Sequence, residues 1–332
     1  MHTHIMPEHL PNWAAKFGYN DHRFIHLEHH KAGAARMMQG TTFFREVAQN
    51  CWDAAVRIPE YAASGTQVQV ICTIPVLFAY WAQPKDGLQV AQFLNDHVAE
   101  IVQKHPKNYI GLGTLPMQDP ELAVQELARC KALGLVGIQI GSNINKINLH
   151  DARFYPLWAA CEQLDMAVMV HPWEMMGEDD MTRYWLPWLV GMPAETTRAI
   201  CSMLLGGIFD RFPALRVCFS HAGGSFFATL GRIEHGYHCR PDLVAIDTPH
   251  PPSSYLGRFW IDNITHDAAT LRYIMQHIGS EKICLGSDFP FPLGDLTIGQ
   301  YLYEMDLAQA DLENILANAT LGWLNLPKEK FL

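Results

Sequence analysis

The chain has 332 residues, 49% of them hydrophobic and 17% charged, which fits one large α/β domain or two ordinary ones and excludes disorder, collagen-like repeats and a coiled coil. Its 24 Lys and Arg stand against 34 Asp and Glu, and the resulting formal charge of −10 argues against nucleic acid or an acidic membrane surface as a partner. Eight cysteines lack a C-x-x-C pair, which excludes zinc-finger and thioredoxin spacings and points to a reduced, cytoplasmic compartment.

The N-terminal MHTHIMPEHLPNW has no basic stretch running into an apolar one, so it predicts no secretory signal. Met1 to His4 is read instead as a first strand. Residues 5–65 are polar, rich in His and Gly, and predict a small irregular subdomain over one mouth of the fold. The uncharged stretch from Tyr61 to Pro84 contains Ser64, Gly65, three glutamines and Pro75, which suit a buried strand at 68–73 and its loop rather than a membrane span. Further strands follow at 109–114 (YIGLGT), 135–140 (LVGIQI), 167–171 (AVMVH), 215–221 (LRVCFSH), 258–263 (RFWIDN) and 282–288 (KICLGSD). Helical spacing of apolar residues marks the stretches between most of them, among these 121–133 and 156–165.

Strands buried on both faces and separated by helices describe parallel βαβ units. Eight such units predict an α/β fold, a (β/α)8 TIM barrel forming a single domain over 1–332, with 5–65 inserted as a cap after strand 1. A doubly wound open sheet would normally carry a Gly-rich turn after its first strand, and this chain has none.

In such a barrel the chemistry lies at the C-terminal ends of the strands. The first carries His2-Thr3-His4, whose i and i+2 side chains share a face and can aim at one metal. With 17 histidines, about one H-x-H is expected by chance, so two solvated terminal imidazoles are the favoured reading of that motif alone. Three other strands run into His171, His221 and Asp288. Each singly could be a hydrogen-bonded core group. Together, three histidines and a carboxylate suit a zinc-like ion with one open position, leaving a fourth histidine as a proton carrier.

The stretches FREVAQNCWDAAVRI (44–58), GLGTLPMQDPELAV (111–124), VHPWEMM (170–176), YWLPWLVGMPAETT (184–197), CFSHAGGSF (218–226) and LGSDFPFPLG (285–294) resemble the metal-dependent amidohydrolase superfamily. Within it they resemble the family of aminocarboxymuconate semialdehyde decarboxylases. The resemblance implies one zinc ion per chain, held by His2, His4, His171 and Asp288, with other divalent metals also fitting. It implies that His221 is the acid/base beside the metal and that Arg45 and Arg232 clamp substrate carboxylates. Arg232 would reach the neighbouring site of a homodimer, while Trp173, Trp188 and Phe291 would line the pocket. The implied reaction is non-oxidative decarboxylation of a small dicarboxylate semialdehyde, 2-amino-3-carboxymuconate 6-semialdehyde, in tryptophan and kynurenine catabolism. Without the resemblance, both arginines would read as solvated surface residues and the three rings as ordinary core.

Three other readings compete. Hydroxybenzoate decarboxylases share the metal constellation. Amide and ester hydrolases of the superfamily often bridge two metals through a lysine or glutamate at the end of strand 4, but here that strand ends Gln139-Ile140-Gly141, which favours one metal. A non-catalytic metal-bound scaffold would tolerate replacement of His221.

Overall fold

The computed structural model describes residues 1–20 and 23–331. The strands in chain order are β1 (Thr3–Ile5), β2 (Ile25–Lys31), β3 (Ala34–Gln39), β4 (Thr42–Ala48), β5 (Gln69–Thr73), β6 (Tyr109–Gly113), β7 (Gly137–Gly141), β8 (Asn143–Ile144), β9 (Ile147–Asn148), β10 (Ala167–His171), β11 (Val217–Phe219), β12 (Trp260–Asp262) and β13 (Ile283–Cys284). Eight of them form one parallel sheet in the order β1, β5, β6, β7, β10, β11, β12, β13. The two edges meet: His4 N donates to Phe289 O and Asp288 N to His2 O, both at 2.8 Å, and Thr3 bridges Phe289 in parallel. The sheet is therefore a closed barrel, as the alternation of strands and helices predicts.

Alternation along each strand builds two cores. Val70, Cys72, Met169, Cys218 and Cys284 fill the barrel interior. Ile71, Val168, Val170, Phe219 and Ile261, one position out of phase, pack outward against helix residues such as Leu127, Leu157, Met203 and Phe226. The predicted helices form at Pro120–Ala132 and Tyr155–Gln163. The first starts where Asp119 accepts hydrogen bonds from Glu121 N and Leu122 N, with Pro120 supplying a preset φ at the first helical position. Among the described residues no helix is long and apolar enough to cross a membrane, and all eight cysteines are unpaired.

The region 5–65 departs from the irregular subdomain predicted for it. β2, β3 and β4 form an antiparallel sheet with turns at Gly33 and Gly40, both at positive φ. Trp13, Ile25, Met37, Val47 and Trp52 gather into a separate apolar cluster with Leu77, Leu94 and Phe291. Glu28, His29 and His30 crowd the exposed part of β2, and these polar residues hide its strand pattern in the sequence. Between β3 and β4 the register slips: Met37 faces Arg45 while Met38 faces Phe43, leaving Phe44 as an extra residue.

Candidate metal centre and active site

Each polar strand end is delivered to the same mouth of the barrel. His2 precedes β1 and His4 lies within it, His171 ends β10, His221 follows β11 by two residues, and Asp288 lies beyond β13. The imidazole centroids of His2, His4, His171 and His221 lie 5.0–5.2 Å apart in five of their pairings. Ligand atoms of His2, His171, His221 and Asp288 all fall within 4.8 Å of one another. His4 belongs to the same cluster, with its Nε2 3.0 Å from Asp288 Oδ1 and 3.2 Å from His2 Nε2.

The hydrogen bonds behind this cluster fix which ring nitrogens face it. His2 Nδ1 donates to Asp262 Oδ2 at 2.7 Å, His4 Nδ1 to the Thr73 carbonyl at 3.0 Å and His171 Nδ1 to the Pro172 carbonyl at 2.9 Å. An acceptor at Nδ1 places the proton there and leaves a lone pair on Nε2. The Nε2 lone pairs of His2 and His171 thus converge with the Asp288 carboxylate. At His4 burial is outweighed by Cys72 and Asp288, which raise it to about 10, so it also carries a proton on Nε2 and donates it to Asp288 Oδ1 at 3.0 Å. That concentration of ligand atoms fits a divalent cation of the nitrogen- and oxygen-preferring kind, which would take the place of the His4 Nε2 proton. His221 differs: its Nδ1 lies 3.3 Å from the Ser220 hydroxyl, which can donate or accept, and its Nε2 lies 3.6 Å from Asp288 Oδ2.

Electrostatics agree with ligand roles for His171 and Asp288. Burial, reinforced by the neighbouring His221, His2 and His4, holds His171 well below the ordinary imidazole range, so it is neutral as a ligand must be. Burial opposes ionisation of Asp288, but hydrogen bonds from His221 and His4 outweigh it and hold the carboxyl well below its ordinary range. His2, His221 and Asp288 all have positive φ (59°, 53° and 54°), a conformation that costs on the order of 1–3 kcal/mol per non-glycine residue and clusters at functional sites.

One participant was not singled out in the sequence. Asp262, at the end of β12, is fully buried. Besides holding His2, it accepts from His221 N at 2.9 Å, Ala222 N at 2.7 Å and Ile264 N at 3.1 Å. The signal that finds it is the one used for the others, a carboxylate where a hydrophobic strand stops.

A cavity of about 270 Å³ opens over the cluster, lined by His4, His171 and Asp288 together with Arg45, Trp173, Trp188 and Phe291. Arg45, Trp173, Trp188 and Phe291 thus share one cavity with the cluster. Arg45 is half-buried, its guanidinium 4.9 Å from the rings of Phe44 and Phe291. Burial works against its charge and the Asp288 carboxylate supports it. Phe44 and Arg45 are consecutive yet both line the cavity, and the β-bulge at this point turns two neighbours to one side. Trp173 sits on a loop pinned by the fully buried Glu195, which accepts from Ser142 Oγ and Asn143 Nδ2 at 3.0 Å each and from Met176 N at 3.2 Å. Arg232 stands exposed on the helix Phe226–Cys239 and does not line the cavity of its own chain.

A closed parallel barrel with a histidine and aspartate cluster at one mouth has the layout of a barrel enzyme with a candidate metal centre. The chain belongs to the amidohydrolase family, whose profile matches residues 1–320. It is 50% identical over 334 residues to a 2-amino-3-carboxymuconate-6-semialdehyde decarboxylase of Dictyostelium discoideum, covering 100% of this chain and 92% of the relative. It is 35% identical over 377 residues to a protein of the same name from Caenorhabditis elegans, covering 98% and 94%. Among solved structures, the fold matches a dihydroxybenzoic acid decarboxylase of Polaromonas sp. JS666 with bound manganese and the inhibitor 2-nitroresorcinol. There the TM-score is 0.76 and the identity 24%, over 85% of this chain and 90% of that one.

Proposed function

We propose that the chain is a zinc-dependent carboxy-lyase that removes CO2 from 2-amino-3-carboxymuconate 6-semialdehyde in cytoplasmic tryptophan and kynurenine catabolism. The observation that carries this reading is the convergence of three imidazole Nε2 atoms and a carboxylate at a cavity that a half-buried arginine also lines. The names of the two relatives supply the substrate.

In this reading His2, His4, His171 and Asp288 hold one zinc ion. When bound, such an ion supplies Lewis acidity toward a substrate oxygen or water. Arg45 pairs with a substrate carboxylate, and a guanidinium can do so bidentately, which orients the bond to be broken. That bond is the one to the departing carboxylate. Its electron pair passes into the conjugated aldehyde and enamine of the substrate, CO2 leaves, and a proton is delivered to the carbon left behind. His221 carries that proton, because its Nδ1 partner is a hydroxyl that leaves either ring nitrogen free to hold it. Trp173, Trp188 and Phe291 exclude water from the developing carbanion. The segment 5–65 acts as a cap within one domain, contributing Arg45 to the cavity. Arg232 enters the cavity of a second copy in a homodimer.

The test generates the unstable semialdehyde from 3-hydroxyanthranilate with its dioxygenase and follows its absorbance. Metal-loaded protein accelerates the loss and releases CO2 in equal amount. The fold match to a dihydroxybenzoic acid decarboxylase makes hydroxybenzoates the second reading. No acceleration, together with turnover of a dihydroxybenzoate, would transfer the assignment to that class.

A further inference from the structure

Arg57 is fully buried on the helix Ala54–Ala62, the only arginine or lysine so placed among the described residues. Its guanidinium donates to neutral oxygens alone: Nη1 to the His4 carbonyl, and Nε and Nη2 to Gln69 Oε1 at 3.2 and 2.9 Å. Its flat face lies 5.0 Å from the Phe289 ring. A buried cation without a carboxylate partner is costly, so its retention calls for a return.

The return lies in what it touches. His4 is a member of the metal cluster, Gln69 begins β5 beside it, and Phe289 follows Asp288 directly. These three meet at the seam where the barrel closes, between a strand of three residues and one of two. The seam between the β1 segment and the segment after β13 is held by three main-chain hydrogen bonds among the described residues: Met1 N to Leu285 O, His4 N to Phe289 O and Asp288 N to His2 O. Arg57 bonds β1 to β5 and covers Phe289, so it braces both sides of that seam from outside the barrel.

We propose that Arg57 is a positioning residue for the metal centre: by holding the His4 carbonyl, Gln69 and Phe289 together, it sets the spacing of His4 and Asp288 and thereby the affinity of the site for its cation. The inference rests on the metal-centre reading above.

The experiment strips the full-length protein with a chelator and titrates it with Zn2+ against a chromophoric competitor, then records the visible spectrum of the Co2+ form, which reports ligand geometry. The variants are Arg57→Lys, Arg57→Met and Gln69→Leu, with Ile278→Val as a distant core control. Arg57→Met lowers Zn2+ affinity by about 10- to 100-fold and alters the Co2+ spectrum. Arg57→Lys, which can keep the bond to His4 but not both bonds to Gln69, falls between it and the parent. Ile278→Val loses thermal stability with affinity and spectrum unchanged. Parent-like affinity and spectrum in folded Arg57 variants would overturn the proposal. If neither Arg57 variant folds, Gln69→Leu decides by the same two readouts. Failure of the unaltered protein to bind Zn2+ would instead sink the metal-centre reading itself.

Discussion

Removing one oxygen's charge from Asp262 disturbs four contacts at once, because that carboxylate holds the His2 ring and accepts from the backbone of His221, Ala222 and Ile264. An Asp262→Asn variant can place an N–H where His2 Nδ1 also donates, which turns His2 and its lone pair away from the cluster. We expect Zn2+ affinity to fall about 10- to 100-fold, measured by chelator competition. His221→Ala should behave in the opposite way, keeping one zinc per chain while CO2 release falls by about 10²- to 10⁴-fold, the range for loss of a general acid. Full turnover in a zinc-replete His221→Ala protein would remove the proton-carrier role. The five cluster residues were legible because each stands at or beside a strand end and carries a metal-capable or titratable group. Asp262 obeys the same rule at the end of β12, but its chemistry acts through His2 rather than on a ligand directly. The choice between His4 and His221 as fourth ligand was not legible from spacing. It depends on whether Nδ1 meets a carbonyl, as in His4, or a hydroxyl, as in His221.

At the scale of elements, the barrel strands were readable because both faces of each are apolar, while β2 to β4 were not. Their outer face carries His, Glu and Lys, and the bulge that turns Phe44 and Arg45 to one side breaks the period-2 pattern where it matters for the site. Arg45 could therefore be named from its family resemblance, but its route into the cavity is a property of the register. The long helix Pro84–Lys104 carries a separate prediction. Burial pushes His97 on this helix down to about 4, from an ordinary value of 6.5, and its Nε2 has no hydrogen-bond partner. Between those pH values the unfolded chain binds the proton that the folded chain refuses, so stability falls as pH drops from 6.5 toward 4. His97→Gln removes this liability. Its denaturant midpoint should decline less than the parent's between pH 7 and pH 5, and an identical decline would show that His97 is not responsible.

At the scale of the whole molecule, the formal charge of −10 opposes the dianionic substrate proposed above, so local arginines have to hold it. Arg45 reaches the cavity from within the chain, while Arg232 is exposed on the helix Phe226–Cys239. If Arg232 acts in a second copy's cavity, Arg45→Ala and Arg232→Ala proteins are each impaired. Co-refolded in equal amounts, they should recover about a quarter of parental activity, because half the dimers are mixed and each mixed dimer keeps one intact site. Recovery no greater than the average of the two variants would confine Arg232 to its own chain or to the surface. The closed barrel itself was legible from eight alternating units. How its seam closes was not, because the hydrogen bonds that join the β1 segment to Leu285, Asp288 and Phe289 leave no mark in the periodicity of either strand.

The decisive measurement is a reconstitution titration: chelator-stripped protein receives Zn2+ in steps while CO2 release from the enzymatically generated semialdehyde is recorded at each step. The account predicts negligible release from the stripped protein and a linear rise that breaks at one Zn2+ per chain. Undiminished release from metal-free protein, or a break at two, would contradict it.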